Sequence, residues 1–338
     1  MGRQLIIICL ISSILLVALM GCASEEEAKQ LHIYAGLYED HAIKAIEAFE
    51  KETGIKVKYT RLSAGEILQR LQDEKDHPRA SIWFGGPVDT FIQAKQEGLL
   101  TPYISPNRQY IDAIFKDDEG YWTGIYAGPI AIVSNRLWLQ QNGLTVPKSW
   151  EELLQSKYRW MIAMPNPNTS GTGYTILATI IQLYGEDEGF EYLQQLHQQI
   201  GWYTTSGSTS GRLVGTGDMG VAILFAQDAV KFFKEGYNQI VISFPMEGTG
   251  YEIGAVAIIK DGPEIEAAQK FVDWVLTKQA QELGKQVGNY HLLTNREAIS
   301  PMEAFPLSEL NIVDYDHEWA GINRQRILEH WKRQVEIK

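Results

Sequence analysis

Tyr126-Ala127-Gly128-Pro129-Ile130-Ala131-Ile132-Val133-Ser134 and Tyr251-Glu252-Ile253-Gly254-Ala255-Val256-Ala257-Ile258-Ile259 are two long apolar runs of strand character set far apart in the chain. Each reads as a strand buried on both faces. Before the first run the sequence alternates strand and helix. Leu31 to Tyr34 reads as a strand, and Ile43, Ile46 and Phe49 share one helix face closed by Gly54. Ile55 to Tyr59 alternates as a strand, and Ser63-Ala64-Gly65-Glu66 is a capping box opening a helix with Ile67, Leu68 and Leu71 on one face. A strand near Ser81 to Phe84 and a Gly85-Gly86-Pro87 turn lead to a helix through Phe91 and Ala94 that ends at Gly98. The pattern then restarts between the long runs. Ser149, with Glu152 three residues on, is a second capping signal, and Trp160 to Met164 reads as a strand. Asn168-Thr169-Ser170-Gly171-Thr172 precedes a helical run with Ile176, Leu177, Ile180, Ile181 and Tyr184, and Val221 to Phe225 and Ile240 to Phe244 read as strands. After the second long run, Ile265, Ala268, Phe271, Val272 and Val275 mark an amphipathic helix. Two sets of βα units joined by two long strands predict an α/β fold of two lobes with an interlobe cleft, the natural ligand site of open α/β sheets.

The chain has 338 residues, 45% hydrophobic and 21% charged, enough apolar surface for two real cores and too much for disorder. Asp and Glu number 42 against 30 Lys and Arg, for a formal net charge of −12, which argues against binding to nucleic-acid phosphates through a globally basic face. Arg3 followed by the apolar run Leu5 to Met20 has the pattern of a secretory leader, too short to span a bilayer comfortably. Its end, Leu19-Met20-Gly21-Cys22, resembles a bacterial lipobox, which implies cleavage after residue 21 and a lipid on Cys22. Residues 22–30, with Glu25, Glu26 and Glu27, then form a solvated tether. The other cysteine, Cys9, leaves with the leader, so the mature chain has no thiol for disulfide, metal or nucleophilic chemistry. The expected division is 1–21 leader, 22–30 tether, 31–125 with 249–285 as the first lobe, 126–248 as the second, and 286–338 as a helical segment of open assignment.

Several motifs together resemble the solute-binding proteins of ABC importers, in the ferric-type branch and its phosphonate- and sugar-phosphate-binding relatives. They are Thr53-Gly54-Ile55-Lys56-Val57 after the first helix, Arg61-Leu62-Ser63-Ala64-Gly65, Asn166-Pro167-Asn168-Thr169-Ser170-Gly171-Thr172, and Phe244-Pro245-Met246-Glu247-Gly248-Thr249. The resemblance covers Leu31 to about Glu297. It implies a two-lobed periplasmic-binding-protein-like (type II) fold with two crossing strands, a small anionic solute as ligand, and an ABC permease and its ATPase as partners of a monomeric, membrane-anchored protein outside the cytoplasm. Ferric-binding members carry adjacent tyrosines after the strand that is here Val221 to Phe225, since phenolates suit Fe³⁺. This sequence has Ala226-Gln227-Asp228 there and no Tyr-Tyr pair among its 16 tyrosines. A ferric-iron carrier is therefore the alternative, and no resident metal or cofactor is expected. A ligand-presenting accessory of a membrane sensor kinase is a further alternative, and a secreted phosphoesterase the least favoured.

The residues themselves point to an oxyanion. Thr169, Ser170, Gly171 and Thr172 put hydroxyls and backbone N–H groups at the positive end of a helix dipole. Ser208 and Thr209, in Ser206-Gly207-Ser208-Thr209-Ser210-Gly211, can contribute from the same lobe, with Ser63, Gly85 and Gly86 closing from the other. The competing reading of Ser63 and Ser149 is an ordinary helix cap. By resemblance to the family, Gln227, Asp228 and Glu247 are cleft acceptors suited to sugar hydroxyls or an ammonium group, and Tyr38 stacks or hydrogen-bonds from the first lobe; isolated carboxylates of this kind are also ordinary surface residues. Gly215-Thr216-Gly217-Asp218-Met219-Gly220 has dinucleotide-motif spacing but precedes its strand instead of following it, so it reads as a turn. The seven histidines show no metal-ligand spacing, and no catalytic residue is expected.

Overall fold

The computed structural model describes residues 30–336. The leader, the Cys22 lipidation site and nearly all of the tether lie outside the described residues.

Among the described residues, eleven strands form one curled sheet: β1 (Gln30–Ala35), β2 (Lys56–Arg61), β3 (Ile82–Pro87), β4 (Leu100–Thr101), β5 (Thr123–Asn135), β6 (Ile162–Pro165), β7 (Ile200–Thr204), β8 (Val221–Phe225), β9 (Ile240–Ser243), β10 (Tyr251–Ile259) and β11 (Leu292–Leu293). The longer helices are α1 (Glu39–Thr53), α2 (Ala64–Asp73), α3 (Val88–Gln96), α4 (Gly171–Tyr184), α5 (Glu186–His197), α6 (Gly207–Thr216), α7 (Ala226–Lys234), α8 (Ile265–Val275) and α9 (His317–Trp331). The main strand order is β2-β1-β3-β10-β5-β8-β6-β7.

The two long apolar runs occupy the middle of that order and make it two-lobed. Every residue of β5 is buried. Its first part pairs with β10, from Thr123↔Val256 to Pro129↔Tyr251, and its second part pairs with β8, from Ile130↔Phe225 to Ser134↔Val221. One strand thus serves both lobes. Tyr126 and Ala127 belong to a first core with Phe49, Trp83, Phe91 and Phe271, while Ile130 and Ile132 belong to a second core with Trp150, Tyr158, Leu177 and Ile223. Around each core the outer strands run parallel, β1 with β2 and β3, and β6 with β7 and β8, as strand-helix-strand units require.

Local signals explain the helix ends that aim at the cleft. Gly54 ends α1 in the left-handed conformation, φ 73°, where only glycine is unstrained. The capping box at Ser63 forms: its N–H donates to the Glu66 carboxylate at 2.8 Å. Three details differ from the sequence reading. Ser149 caps no α-helix; a 3₁₀ turn, Glu151–Leu154, follows Trp150 instead, and the Ser149 hydroxyl donates to Glu247. Strand β6 starts at Ile162, two residues late, because Trp160 adopts φ 61° in a turn. The segment from 286 onward is only partly helical and serves both lobes. Strand β11 pairs with Tyr126 and Ala127, Ile312 bridges to Thr249, and α9 places Ala320, Ile327 and Trp331 in the second core. Gly321 packs its backbone on Ile92 of α3, where a Cβ would lie 2.4 Å from the Ile92 Cβ.

Candidate functional site

A cavity lined by residues of both lobes lies between them. Six helix N-termini reach it, three from each lobe: Tyr38 before α1, Ser63 and Ala64 at α2, Pro87 before α3, Ser170 to Thr172 at α4, Ser206 to Ser208 at α6, and Phe225 with Asp228 at α7. This convergence follows from topology, because each helix begins where a strand of either half-sheet ends at the cleft. The first N–H groups of a helix lack intrahelical acceptors, and the helix dipole is positive there. Only α2 and α4 are capped by side chains, α4 through Ser170 Oγ accepting from the Gly173 N–H at 3.4 Å; α1, α3, α6 and α7 have no side-chain cap. Uncapped helix starts facing one cavity suit an anion.

One cation joins them. Arg61, at the end of β2, is fixed by its Nε donating to the Leu37 carbonyl at 3.1 Å, and no carboxylate pairs with it among the described residues. The opposite wall is acidic. Burial pushes the Asp228 carboxyl up to about 7, and the positive charges of Arg61 and Lys231 keep it from rising further. Burial and the negative charges of Asp228 and Asp89 hold Glu252 well above the usual carboxylate range, though the Gln227 amide donates to it at 2.8 Å. His291 lines the same wall, stacked on Tyr126 with ring centroids 4.0 Å apart, and burial keeps it neutral by pushing its pKa well down. The Tyr126 hydroxyl accepts from the Gly86 N–H at 3.1 Å. Burial and Asp228 push the Tyr38 phenol well up; its hydroxyl points toward Asp228 and Ser208 without completing a hydrogen bond to either.

The lobes are closed on this cavity. The Ser63 hydroxyl reaches across to the Thr169 carbonyl at 2.7 Å, and Lys231 of α7 reaches Asp40 of α1 at 2.6 Å. Two glycines make the approach possible. A Cβ on Gly65 would lie 2.8 Å from the Thr169 carbonyl oxygen, and one on Gly171 would lie 2.7 Å from Pro87.

Of the residues singled out in the sequence, Tyr38, Ser63, Gly86, Ser170, Gly171, Thr172, Ser208 and Asp228 meet at the cavity. Five lie off its lining. Thr169 spends its hydroxyl on the Thr205 carbonyl and its carbonyl on Ser63. Thr209 is exposed beside Ser206. Gly85 turns its carbonyl to the Trp83 indole. Gln227 sits behind the wall holding Glu252, pressed so close to Gly128 that a Cβ there would come within 2.0 Å of its Oε1. Glu247 is placed elsewhere: its carboxylate accepts from Ser149 and from the Trp150 N–H, so it fastens the loop after β9 to the second core. Arg61, Tyr126, Glu252 and His291 line the cavity without having been singled out as site residues. Arg61 stood in a quoted motif, and an arginine two residues before a helix cap was a usable signal. Tyr126 and Glu252 sit on the crossing strands that read as core, and His291 sits just before β11 in the segment whose lobe the sequence left open.

Residues 88–299 match the family described as bacterial extracellular solute-binding protein. The chain belongs to that family. This solute-binding protein resembles the periplasmic binding protein AfuA from Actinobacillus pleuropneumoniae, solved with exogenous fructose-6-phosphate bound, at 33% identity and a TM-score of 0.89, covering 92% of this chain and 99% of that one. A putative 2-aminoethylphosphonate-binding periplasmic protein of Salmonella typhimurium is 28% identical over 70% of this chain and 68% of that protein. Iron-bound HitA from Pseudomonas aeruginosa shares the fold, with a TM-score of 0.76 at 20% identity over 89% of this chain and 99% of that one. The relatives are binding proteins, not enzymes. No helix among the described residues is long and apolar enough to cross a membrane.

Proposed function

We propose that this protein captures a small phosphate ester or phosphonate by closing its lobes on it and delivers it to an ABC permease. The observation that carries the reading is the convergence of six helix N-termini and the unpaired Arg61 on one interlobe cavity. The phosphate or phosphonate group sits among Arg61, Ser63, Ser170 to Thr172 and Ser206 to Ser208. Asp228 and Glu252 then accept from hydroxyls or an ammonium on the rest of the solute. A ligand touching both lobes favours the closed state by its differential affinity, which makes closure the signal a permease can recognise. Phosphate-ester and phosphonate relatives above 25% identity support the same ligand class. A lipid on Cys22, outside the described residues, would hold the protein at the outer face of the cytoplasmic membrane.

Isothermal titration with fructose 6-phosphate, other hexose phosphates, 2-aminoethylphosphonate, inorganic phosphate and ferric citrate tests the reading. Micromolar or tighter binding of a phosphorylated or phosphonate compound is expected, with stabilisation of about 2.7 kcal/mol at one hundred times the dissociation constant. Binding of ferric ion alone, with a visible phenolate charge-transfer band, would replace it with the iron-carrier reading.

A further inference from the structure

Lys231 is a buried lysine, 8% exposed, on the second turn of α7, and it faces the first lobe rather than the solute cavity. Its ammonium donates to Asp40 at 2.6 Å and to the Val287 carbonyl at 3.0 Å, and lies 3.4 Å from Glu235 of its own helix. It also sits 5.2 Å from the centroid of the Tyr38 ring, whose other side lines the cavity. Asp40 is in the first turn of α1 and Val287 follows α8; both belong to the first lobe, whereas α7 packs in the second. One side chain therefore makes two interlobe bonds and a cation–π contact directly behind a wall of the site.

We propose that Lys231 is the closed-state latch of this protein, a positioning residue that ties α7 to α1, seats Tyr38 and sets how long a bound solute is held without touching it. The inference rests on reading the cavity as the solute site. The ammonium is already desolvated by the closed interface, so its bonds to Asp40 and Val287 strengthen only when the lobes meet. Opening exchanges them for water, leaving Lys231 with Glu235. A latch of this kind acts on departure, because the encounter happens with the lobes apart and the bonds form afterwards. The positive charge of Lys231 also reaches the cavity, where it adds a little to the burial that keeps His41 and His291 neutral and helps Arg61 hold Asp228 down.

The test compares the protein with Lys231→Met, Asp40→Asn and the double variant. The first readout is the interlobe distance of the empty and solute-loaded protein, from spin labels at Lys51→Cys and Gln195→Cys, both exposed positions. The second is stopped-flow binding of fructose 6-phosphate and 2-aminoethylphosphonate. Lys231→Met is expected to speed dissociation about tenfold or more, with association changed less than about threefold, and to shift the distance distribution toward the open state. Lys231→Arg, which can still reach Asp40, is expected to recover most of the effect. The double variant should be no worse than the worse single one, since both remove the same bond. Unchanged dissociation in Lys231→Met, or an equal loss of melting temperature in Asp40→Asn and Lys231→Met with unchanged interlobe distances, would overturn the latch. If the unmodified protein binds neither probe, the latch is decided by the distance distributions of the empty protein alone, separately from the solute reading.

Discussion

Replacing Arg61 by Gln removes a cavity cation that no carboxylate pairs among the described residues, while leaving a side chain of similar reach. A guanidinium and a phosphate oxygen about 4 Å apart interact by about 4 kcal/mol at an effective dielectric near 20. The helix N-termini stay in place and water enters the vacated volume, so the net loss should approach that of one or two charge-assisted hydrogen bonds, about 2–3 kcal/mol. That corresponds to roughly 30- to 150-fold in dissociation constant. The same substitution removes a charge that holds the Asp228 pKa down, so Asp228 should titrate higher in the variant than in the parent. Isothermal titration at low and high salt measures both the loss and its screening, since a desolvated pair responds less to salt than a surface one. The melting temperature of the empty protein should hold, because among the described residues Arg61 spends only one hydrogen bond on the fold, to the Leu37 carbonyl. A change below about threefold with the best phosphorylated ligand would refute the placement of the anion beside Arg61, as one charge-assisted bond alone exceeds that.

Three further outcomes follow from the same geometry. Gly171→Val should weaken ligand binding at least tenfold while sparing the melting temperature of the empty protein, because its Cβ meets Pro87 of the opposite lobe only on closure; isothermal titration and thermal melting together check it. Asp228→Asn should stabilise the empty protein at pH 8 and change little near pH 4: a carboxyl raised from 3.8 to about 7 loses folding stability as pH climbs through that window, with a ceiling of about 4 kcal/mol. Its partner in pH dependence is His41, lowered to about 4, which costs stability as pH falls below 6.5 and is common to both proteins, so paired melting curves isolate Asp228; no difference at pH 8 would sink the assignment. Glu247→Gln should lower thermal stability by about 1–2 kcal/mol through the Ser149 and Trp150 bonds and leave ligand affinity intact; a specific affinity loss would return Glu247 to the site.

On the proposed reading, the asymmetry of the cavity lets a chain of net charge −12 take an anionic solute. The overall field is screened within about 10 Å at 0.1 M salt, so the donors lining the cavity decide. Those donors are backbone N–H groups whose orientation costs nothing at the moment of binding, and Arg61 adds a planar fork suited to phosphate. The acidic wall lies on the other side, where burial has already raised both carboxyls. A solute with oxyanion at one end and donors at the other is the complement of that arrangement.

Periodicity and turn chemistry in the sequence determined the two lobes, because β5 and β10 are too long and too uniformly apolar for anything but strands buried on both faces. They also determined Ser63, Ser170, Gly171 and Thr172, since a cap and the glycine beside it are local events written within four residues. Glu247 and Ser149 looked equally local and went the other way: each met a partner 98 positions distant, and only the packed second core fixed which use of the carboxylate won. Glu252 and Tyr126 were hidden for the opposite reason, lying in runs whose apolar pattern described burial correctly but not the cavity they face. Which side chains share a cavity depends on how two half-sheets meet, and that is set by long-range register and by close contacts at Gly65 and Gly171 that no window of sequence contains.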